Sequence, residues 1–399
     1  MINTNEAWRK IAIDPYHRTT FSLLVDGKEV PPSRIAVAPE ITSALYTDRW
    51  GVGNVSSSCI KFTYLPLTEP SKAAKVQLRC TIWPRDGDWV LVDETGEKIV
   101  SGAGDEIWLM DTQTITLGTW YVNTRSTNAH GWLTLECYDK MLKLDRYTVK
   151  KAAKKHGASL KYPVGMETIL SLAAKVTGLT APDLEDASGV EFTKDDVTEL
   201  TMREALGYAA TANGVNLAAD EAGKTMRALY YTPAMFSTAH IEVTFGSDID
   251  ELVSETGEYI VFYDEDSASH FLDRQRMAGL ALGDTLPEVT KVEVSGPDDD
   301  DTWSASAEEA TSDGTTYTVE WPLSCASQQI ANQIVYSIGH FVYTPWDASN
   351  VLLDPSVQVG DPVIVDGVET VVAEITARCS GAYVADCGAA GNYEIEEEL

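Results

Sequence analysis

Positive charge is scarce in this chain of 399 residues: 30 lysines and arginines stand against 61 aspartates and glutamates, which gives a formal net charge of −31. Proteins that bind nucleic acid present basic faces, because they must replace the counterions of the phosphates. The composition therefore argues against sequence-specific nucleic-acid binding. The imbalance is greatest over residues 296–399, where nineteen acidic residues accompany one basic residue, Arg378. We interpret this third as a solvated acidic surface, or as one past which DNA moves without adhering.

Long apolar runs are absent as well. No stretch reaches the roughly 18 apolar residues of a membrane helix, and the first residues do not combine a basic region with an apolar run, as a secretory signal does. The sequence therefore predicts no stable membrane insertion, and assembly in a cytoplasm.

The six cysteines form no CxxC pair, which argues against a zinc site. Cys379 and Cys387 could still close a disulfide across a hairpin, although cytoplasmic thiols stay reduced.

Catalytic signatures are missing too. The chain has no HExxH, GxSxG, Walker A or GxGxxG motif, and its six histidines are not spaced like metal ligands. Acidic residues are so numerous that no glycosidase pair can be singled out. Asp298–Asp301 could hold a divalent cation, but four consecutive acids point in different directions and favour a solvated turn. We therefore predict no enzyme activity, no cofactor and no metal.

Hydrophobic patterning divides the chain into four segments. Residues 1–150 show many short alternating strands, which predict a first β-barrel or sandwich domain. Residues 151–235 predict a small α+β domain with two short helices, and residues 236–289 form a connection with little pattern. Residues 290–399 return to β structure around one helix, 326–338. The predicted class is α+β and β-rich, with two β-barrel or sandwich domains on either side of a small α+β insert.

Two Asp-Gly dipeptides predict tight hairpin turns. The first is Asp26-Gly27, and the second is Asp366-Gly367, between strands predicted at 362–365 and 370–376. Further short strands are predicted at 113–117, 120–124, 241–245 and 259–262.

Capping patterns predict where helices begin and end. Thr201 and Glu204 form a capping-box pattern at the start of one helix. A second helix covers 166–177 and ends at Gly178. We expect Ser324 to cap the helix at 326–338.

Two stretches carry a more specific pattern. The first joins Leu117-Gly118-Thr119-Trp120 to Tyr138-Asp139-Lys140-Met141-Leu142, and the second runs from Pro345 through Asp354-Pro355 to Gly360-Asp361. Their order and spacing resemble the hub proteins of bacteriophage tail tips and baseplates. The chain departs mildly from that pattern, with Trp321 where asparagine is usual and Gln358 where an acid is common. The family-motif residues are Gly118, Trp120, Tyr138, Asp139, Met141, Leu142, Pro345, Pro355, Gly360 and Asp361.

The resemblance implies a structural component of a phage, or prophage-derived, tail tip, assembled in the cytoplasm of the bacterial host. Three subunits, each with two barrels related to the tail-tube fold, would form a pseudo-hexameric hub that caps the tail tube. It also implies contacts with distal tail and tail-tube proteins, the tape-measure protein, and receptor-binding or fibre proteins. No C-terminal peptidase or lysin domain is expected. Within the first motif, we expect Tyr138 and Leu142 to anchor the barrel end while Asp139 and Lys140 face outward.

Two other functions remain open. One is a tail-associated cell-wall hydrolase that uses acidic residues. The other is a glycan-binding receptor module, whose aromatic side chains would line an exposed groove. A hub instead predicts that Trp120 and Trp132 are buried or lie at subunit contacts.

Overall fold

The computed structural model of the chain describes residues 2, 4–13, 17–46, 50–84, 89–90, 108–109, 112–182, 184, 190–232, 235, 270–272, 279–298, 301–309 and 314–389. The strands predicted at 241–245 and 259–262 lie outside these residues, as does the middle of the predicted Asp298–Asp301 turn. The helices are α1 Glu6–Ile13, α2 Val149–Lys155, α3 Met166–Thr177, α4 Lys194–Val197, α5 Met202–Ala212 and α6 Gln328–Ile338. Two 3-10 helices cover Pro32–Arg34 and Lys140–Arg146.

The strands of the first part of the chain are β1 Arg18–Val25, β2 Lys28–Glu29, β3 Ile35–Ala44, β4 Cys59–Tyr64, β5 Lys75–Trp83, β6 Trp89–Val90, β7 Trp108–Leu109, β8 Gln113–Thr127 and β9 Leu133–Tyr138. The middle holds β10 Val164–Gly165, β11 Glu191–Phe192, β12 Val215–Ala219 and β13 Met226–Tyr230. The last part holds β14 His270–Leu272, β15 Gly279–Leu282, β16 Val289–Ser295, β17 Thr302–Ser306, β18 Thr315–Glu320, β19 Trp346–Leu352, β20 Pro362–Val365, β21 Val368–Val371, β22 Glu374–Cys379 and β23 Tyr383–Ala389.

One antiparallel sheet contains strands from both ends of the chain. Its order is β15-β19-β23-β22-β3-β4-β9-β8-β5-β1-β2. The two ends meet where β22 pairs with β3, with Glu374 opposite Ala44 and Arg378 opposite Glu40. The two β-rich regions therefore share one continuous hydrogen-bonded sheet. The predicted β-rich α+β class is confirmed.

The large sheet curls around a shared interior. Its strands β4, β5 and β9 bury every second side chain, as expected where one face covers a core. Phe21 on β1 and Tyr383 on β23 stand towards opposite edges of the sheet, yet their ring centroids are 6.4 Å apart. The first and last parts of the chain therefore contribute to the same core.

Both Asp-Gly turns form as predicted. Asp26 and Gly27 have φ values of 50° and 74°, and Asp366 and Gly367 have 51° and 83°. Two consecutive positive φ angles are the geometry of a type I′ hairpin turn. The strand predicted over 370–376 is instead divided, because β21 pairs with β20 whereas β22 crosses into the large sheet.

The predicted helix ends hold at two places and fail at a third. Thr201 and Glu204 form a complete capping box on α5, and α3 ends at Gly178 with φ 71°. Ser324, however, does not cap α6, which begins later, after Ser327. The Ser324 backbone N and Oγ instead donate to the Asp196 carboxylate, at 2.7 and 2.9 Å. Ser324 therefore binds Asp196, in the first turn of α4, and does not cap α6.

The alternative of a Cys379–Cys387 disulfide is wrong. In the β22–β23 pairing Cys379 lies opposite Tyr383, whereas Cys387 lies opposite Ile375. The two thiols are therefore not cross-strand neighbours, and a disulfide requires Cα atoms within about 7 Å. All six cysteines are free.

Candidate functional site at the junction of the two motifs

The first motif begins with a bulge in β8 over which a tryptophan folds back. Residues 113–117 and 120–124 belong to this one strand, and the register against β5 shifts so that Leu117 has no partner. Trp120 lies two residues beyond Gly118 on the same face. A Cβ on Gly118 would lie 2.3 Å from ring atoms Cζ2 and Cη2 of Trp120. Because the ring is only 1% exposed, it cannot move aside, and the position requires glycine.

Asp139 points into the protein, so the expectation that it faces outward is wrong. Its carboxylate accepts from the Ser58 backbone N at 2.7 Å, from Ser58 Oγ at 3.0 Å and from the Met141 backbone N at 2.8 Å. Ser58 Oγ in turn accepts from Trp120 Nε1 at 2.9 Å. Burial raises the pKa of Asp139 to about 6, although these hydrogen bonds and Arg203 act in the opposite direction. The aspartate thus caps the 3-10 helix and binds it to the residues before β4.

Lys140 of the motif and Lys143, just after it, also turn towards the insert. Lys140 Nζ donates to the carbonyls of Gly178 and Gly223, at 3.1 and 2.7 Å. Lys143 Nζ donates to the Thr177 carbonyl at 3.1 Å. Cations are favourable beside the carbonyls at the C-terminal end of a helix, here α3. The expectation that Lys140 faces outward is therefore wrong as well.

The apolar side chains at the end of the motif and just after it differ in burial. Met141 and Leu144 are fully buried, whereas Leu142 is half-buried. Tyr138 is half-buried too, and its hydroxyl donates to Glu136 Oε1 at 2.7 Å. Met141 and Leu144 thus form more of the anchor than Leu142, which the sequence had favoured.

Arg203, in the first turn of α5, holds the end of the motif. Its guanidinium forms an ion pair with Asp145 and donates to the Val55 carbonyl. It also donates to Ser57 Oγ at 2.8 Å and to the Met141 carbonyl at 3.0 Å. The planar fork of an arginine can serve several acceptors at once. One side chain therefore ties the insert to the first β-rich region at several points.

The second motif joins the N-terminal segment to the last β-rich region. The Asp354 carboxylate accepts from Trp8 Nε1 of α1 at 3.2 Å and from the Ser356 backbone N at 2.8 Å. The Ile2 backbone N donates to the Ser356 carbonyl at 3.0 Å. The turn around Pro355 therefore holds the start of the chain in place.

Gly360 and Asp361 connect this turn to the insert. Gly360 has φ 87°, and a Cβ there would lie 2.5 Å from Leu229 Cδ1 on β13. The buried Asp361 carboxylate accepts from the Gln358 backbone N at 2.7 Å and pairs with Arg227, also on β13, at 3.3 Å. Arg227 donates to the Gln358 side chain as well.

The two motifs meet at one cleft of about 70 Å³. Gly118, Trp120 and Asp139 of the first motif line it together with Pro355 of the second and Arg227 of the insert. Small-molecule pockets usually enclose about 300–1,000 Å³, so this cleft has room for a few waters only. We therefore regard it as a seam between packed parts of the chain and not as a ligand pocket.

Other motif residues lie away from this seam. The Pro345 carbonyl accepts from the Gly283 backbone N at 2.8 Å, just before β19. Tyr138, Met141 and Leu142 do not line the cleft. A separate, open depression of about 260 Å³ lies along α3, between Ala158 and Lys175, and contains no motif residue.

Three contact residues were not predicted: Ser58 and Arg227, which line the cleft, and Arg203, which holds the end of the first motif. Each acts through contacts with residues far away in the sequence, and none belongs to a recognisable spacing pattern. The only sequence signal near them was the capping box, which places Arg203 in the first turn of its helix.

In the part of the chain that the structure describes, no three His, Cys, Asp or Glu side chains are grouped so as to hold a metal ion. The helices of the same part are also too short or too polar to cross a membrane.

Comparison with known proteins gives structural neighbours only. No protein-family model matches the sequence, and no curated protein matches it. Among solved structures, the 43 kDa tail protein of prophage MuSo2 from Shewanella oneidensis is 14% identical, with a TM-score of 0.43, over 93% of this chain and 97% of that one. Prophage tail protein gp18 from Listeria monocytogenes EGD-e is 10% identical, with a TM-score of 0.44, over 92% and 94%.

A Francisella PdpA-VgrG complex is also similar, at 8% identity and a TM-score of 0.41, over 94% of this chain and 52% of that one. The structural neighbours thus include two prophage tail proteins and a PdpA-VgrG complex.

Proposed function

We propose that the chain is a structural, non-catalytic subunit of a phage or prophage-derived tail tip. Three copies form a pseudo-hexameric hub that caps the tail tube. The hub joins the tube to the distal tail, tape-measure and receptor-binding or fibre proteins, and so takes part in host attachment and DNA ejection.

The observation that carries this proposal is that the motif residues make contacts between parts of the chain. Asp139 binds the end of the first β-rich region to Ser58, and Lys140 binds that end to the insert. Gly360 and Asp361 join the last β-rich region to the same insert. None of them surrounds a space large enough for a substrate. Motif residues that join the parts of a subunit hold those parts in a fixed arrangement. A protein that caps a tube requires such an arrangement.

The receptor hypothesis fits less well. A glycan-binding groove would present aromatic rings to solvent, but Trp8, Trp50, Trp120, Trp321 and Trp346 are each at most 3% exposed. Trp132 is half-buried. These indoles contribute to the core, where large aromatic rings add packing energy.

Deletion of the gene from the phage or prophage distinguishes the three hypotheses. If the chain closes the end of the tail, induced lysates contain no complete tails, and the wild-type gene supplied in trans restores them. A hydrolase would leave tails intact but unable to degrade the cell wall. A receptor module would leave intact tails that fail to adsorb, and either of these results would refute the proposal.

A further inference from the structure

A basic surface interrupts this otherwise acidic protein. Seven of the chain's 30 lysines and arginines fall within residues 140–155, which contain one acid, Asp145. Helix α2 buries Val149, Ala152 and Ala153. Its other face carries the exposed lysines 150, 151, 154 and 155.

These cations have little to neutralise them. Within the described part of the chain, no lysine of α2 forms an ion pair with a carboxylate, and Lys155 instead lies 4.3 Å from the centroid of the Tyr147 ring. Burial lowers the pKa of the neighbouring Lys143, and Lys140, Arg146 and Lys155 lower it further by repulsion. A surface of mutually repelling cations gains most from an external negative partner.

A group of exposed acidic residues lies at one end of the small β17-β16-β18 sheet. Thr302, next to Asp301, and Glu320 are both paired with Ser295, so Asp301 and Glu320 lie at the same end of that sheet. Asp298, Asp301 and Glu320 are exposed there. We call these three residues the acidic end, and lysines 150, 151 and 154 the basic face.

Symmetry decides how copies of the chain can use these charges. A contact between the basic faces of two copies is unfavourable, because like charges across an interface repel. In the proposed ring of three, every contact is head-to-tail, so the basic face of one copy meets a different surface of the next.

We propose that the basic face of α2 docks on the acidic end of a neighbouring copy, as the repeated contact of a closed ring. This inference rests on the proposed trimeric hub. The net charge of −31 opposes long-range attraction of nucleic acid, whereas opposite charges on two copies in direct contact would lie within the screening distance of about 8 Å.

Charge reversal tests the contact, with the oligomer mass measured by analytical ultracentrifugation at low and high salt. The variant K150E/K151E/K154E should lower the mass from three chains to one, and so should D298K/D301K/E320K. Combining all six substitutions in one chain should restore the trimer, because the charges are exchanged. K28E/K72E/K75E, which changes the net charge equally at other exposed lysines, should remain a trimer. Circular dichroism confirms that each variant is folded.

Several outcomes overturn the inference. If K150E/K151E/K154E stays trimeric, the basic face is not the contact, and the tail-tip function is untouched. If the variant with all six substitutions does not form a trimer, the acidic end is not the partner of the basic face. If the wild-type chain is monomeric, the ring contact is refuted, while location at a tail end can still hold. If the wild type binds a fluorescent DNA duplex and the triple lysine variant does not, the face serves nucleic acid instead.

Discussion

Gly118→Ala tests the central packing of the seam. The added methyl group would lie 2.3 Å from two ring atoms of Trp120, more than 1 Å inside normal contact. The ring is buried and hydrogen-bonded to Ser58, so either strand β8 or the ring must shift. Overpacking of this kind costs about 1–3 kcal/mol, and we expect about 2–3 kcal/mol less stability in urea unfolding followed by tryptophan fluorescence.

A matched glycine serves as the control. A Cβ on Gly165 meets no atom within 4 Å, and its φ is −72°, so Gly165→Ala should change stability by less than about 1 kcal/mol, the usual effect at a helix N-cap. In Trp120→Phe the offending ring atoms are gone. Adding Gly118→Ala to that variant should therefore cost at least about 1 kcal/mol less than it does in the wild type. Equal effects of the two alanine variants, or strict additivity with Trp120→Phe, would refute the packing argument.

Three further substitutions test the contacts that join the parts of the chain. Asp139→Asn should alter the pH dependence of stability. Because the pKa of Asp139 is raised to about 6 in the folded chain, its contribution to stability is full well below pH 4 and is lost as the pH rises through 6. The stability of the wild type relative to the variant should therefore fall by about 2 kcal/mol between pH 4 and 7 in urea titrations; a constant difference would contradict this. Arg203→Lys should lower stability by about 1–3 kcal/mol, because an ammonium group cannot serve all the acceptors of the guanidinium; unchanged urea unfolding would contradict it. Gly360→Ala should lower stability by about 2–3 kcal/mol, because φ is positive there and the added Cβ meets Leu229. Adding Leu229→Ala should reduce the loss of stability that Gly360→Ala causes, as measured by thermal unfolding. If it does not, backbone strain alone is responsible.

Features with local causes were predictable from the sequence. The turns at Asp26-Gly27 and Asp366-Gly367, the end of α3 at Gly178 and the capping box of Thr201 depend on residues within a few positions of one another. The same holds for the alternating burial of the strands. In each case the backbone geometry that the residue favours is also the one that the fold uses.

Features with long-range causes were not predictable. The pairing of β3 with β22 joins the two ends of the chain, and no local pattern indicates it. Ser324 has the composition of a helix cap, but Asp196, distant in sequence, binds it instead. Asp139 follows a strand in the way an exposed residue does, and only the serine before β4 explains why it is buried. The contacts of the motif residues depend on partners that the motif does not contain, so the motif alone could not predict them.

The most direct test of the account is immunogold electron microscopy of particles from the producing bacterium, with antibody raised against the purified chain. The tail-tip proposal predicts label at one end of the tail only, and no label on particles from the deletion strain. Label along the tail, on the head or on fibres, or an absence of label from complete tails, would contradict it.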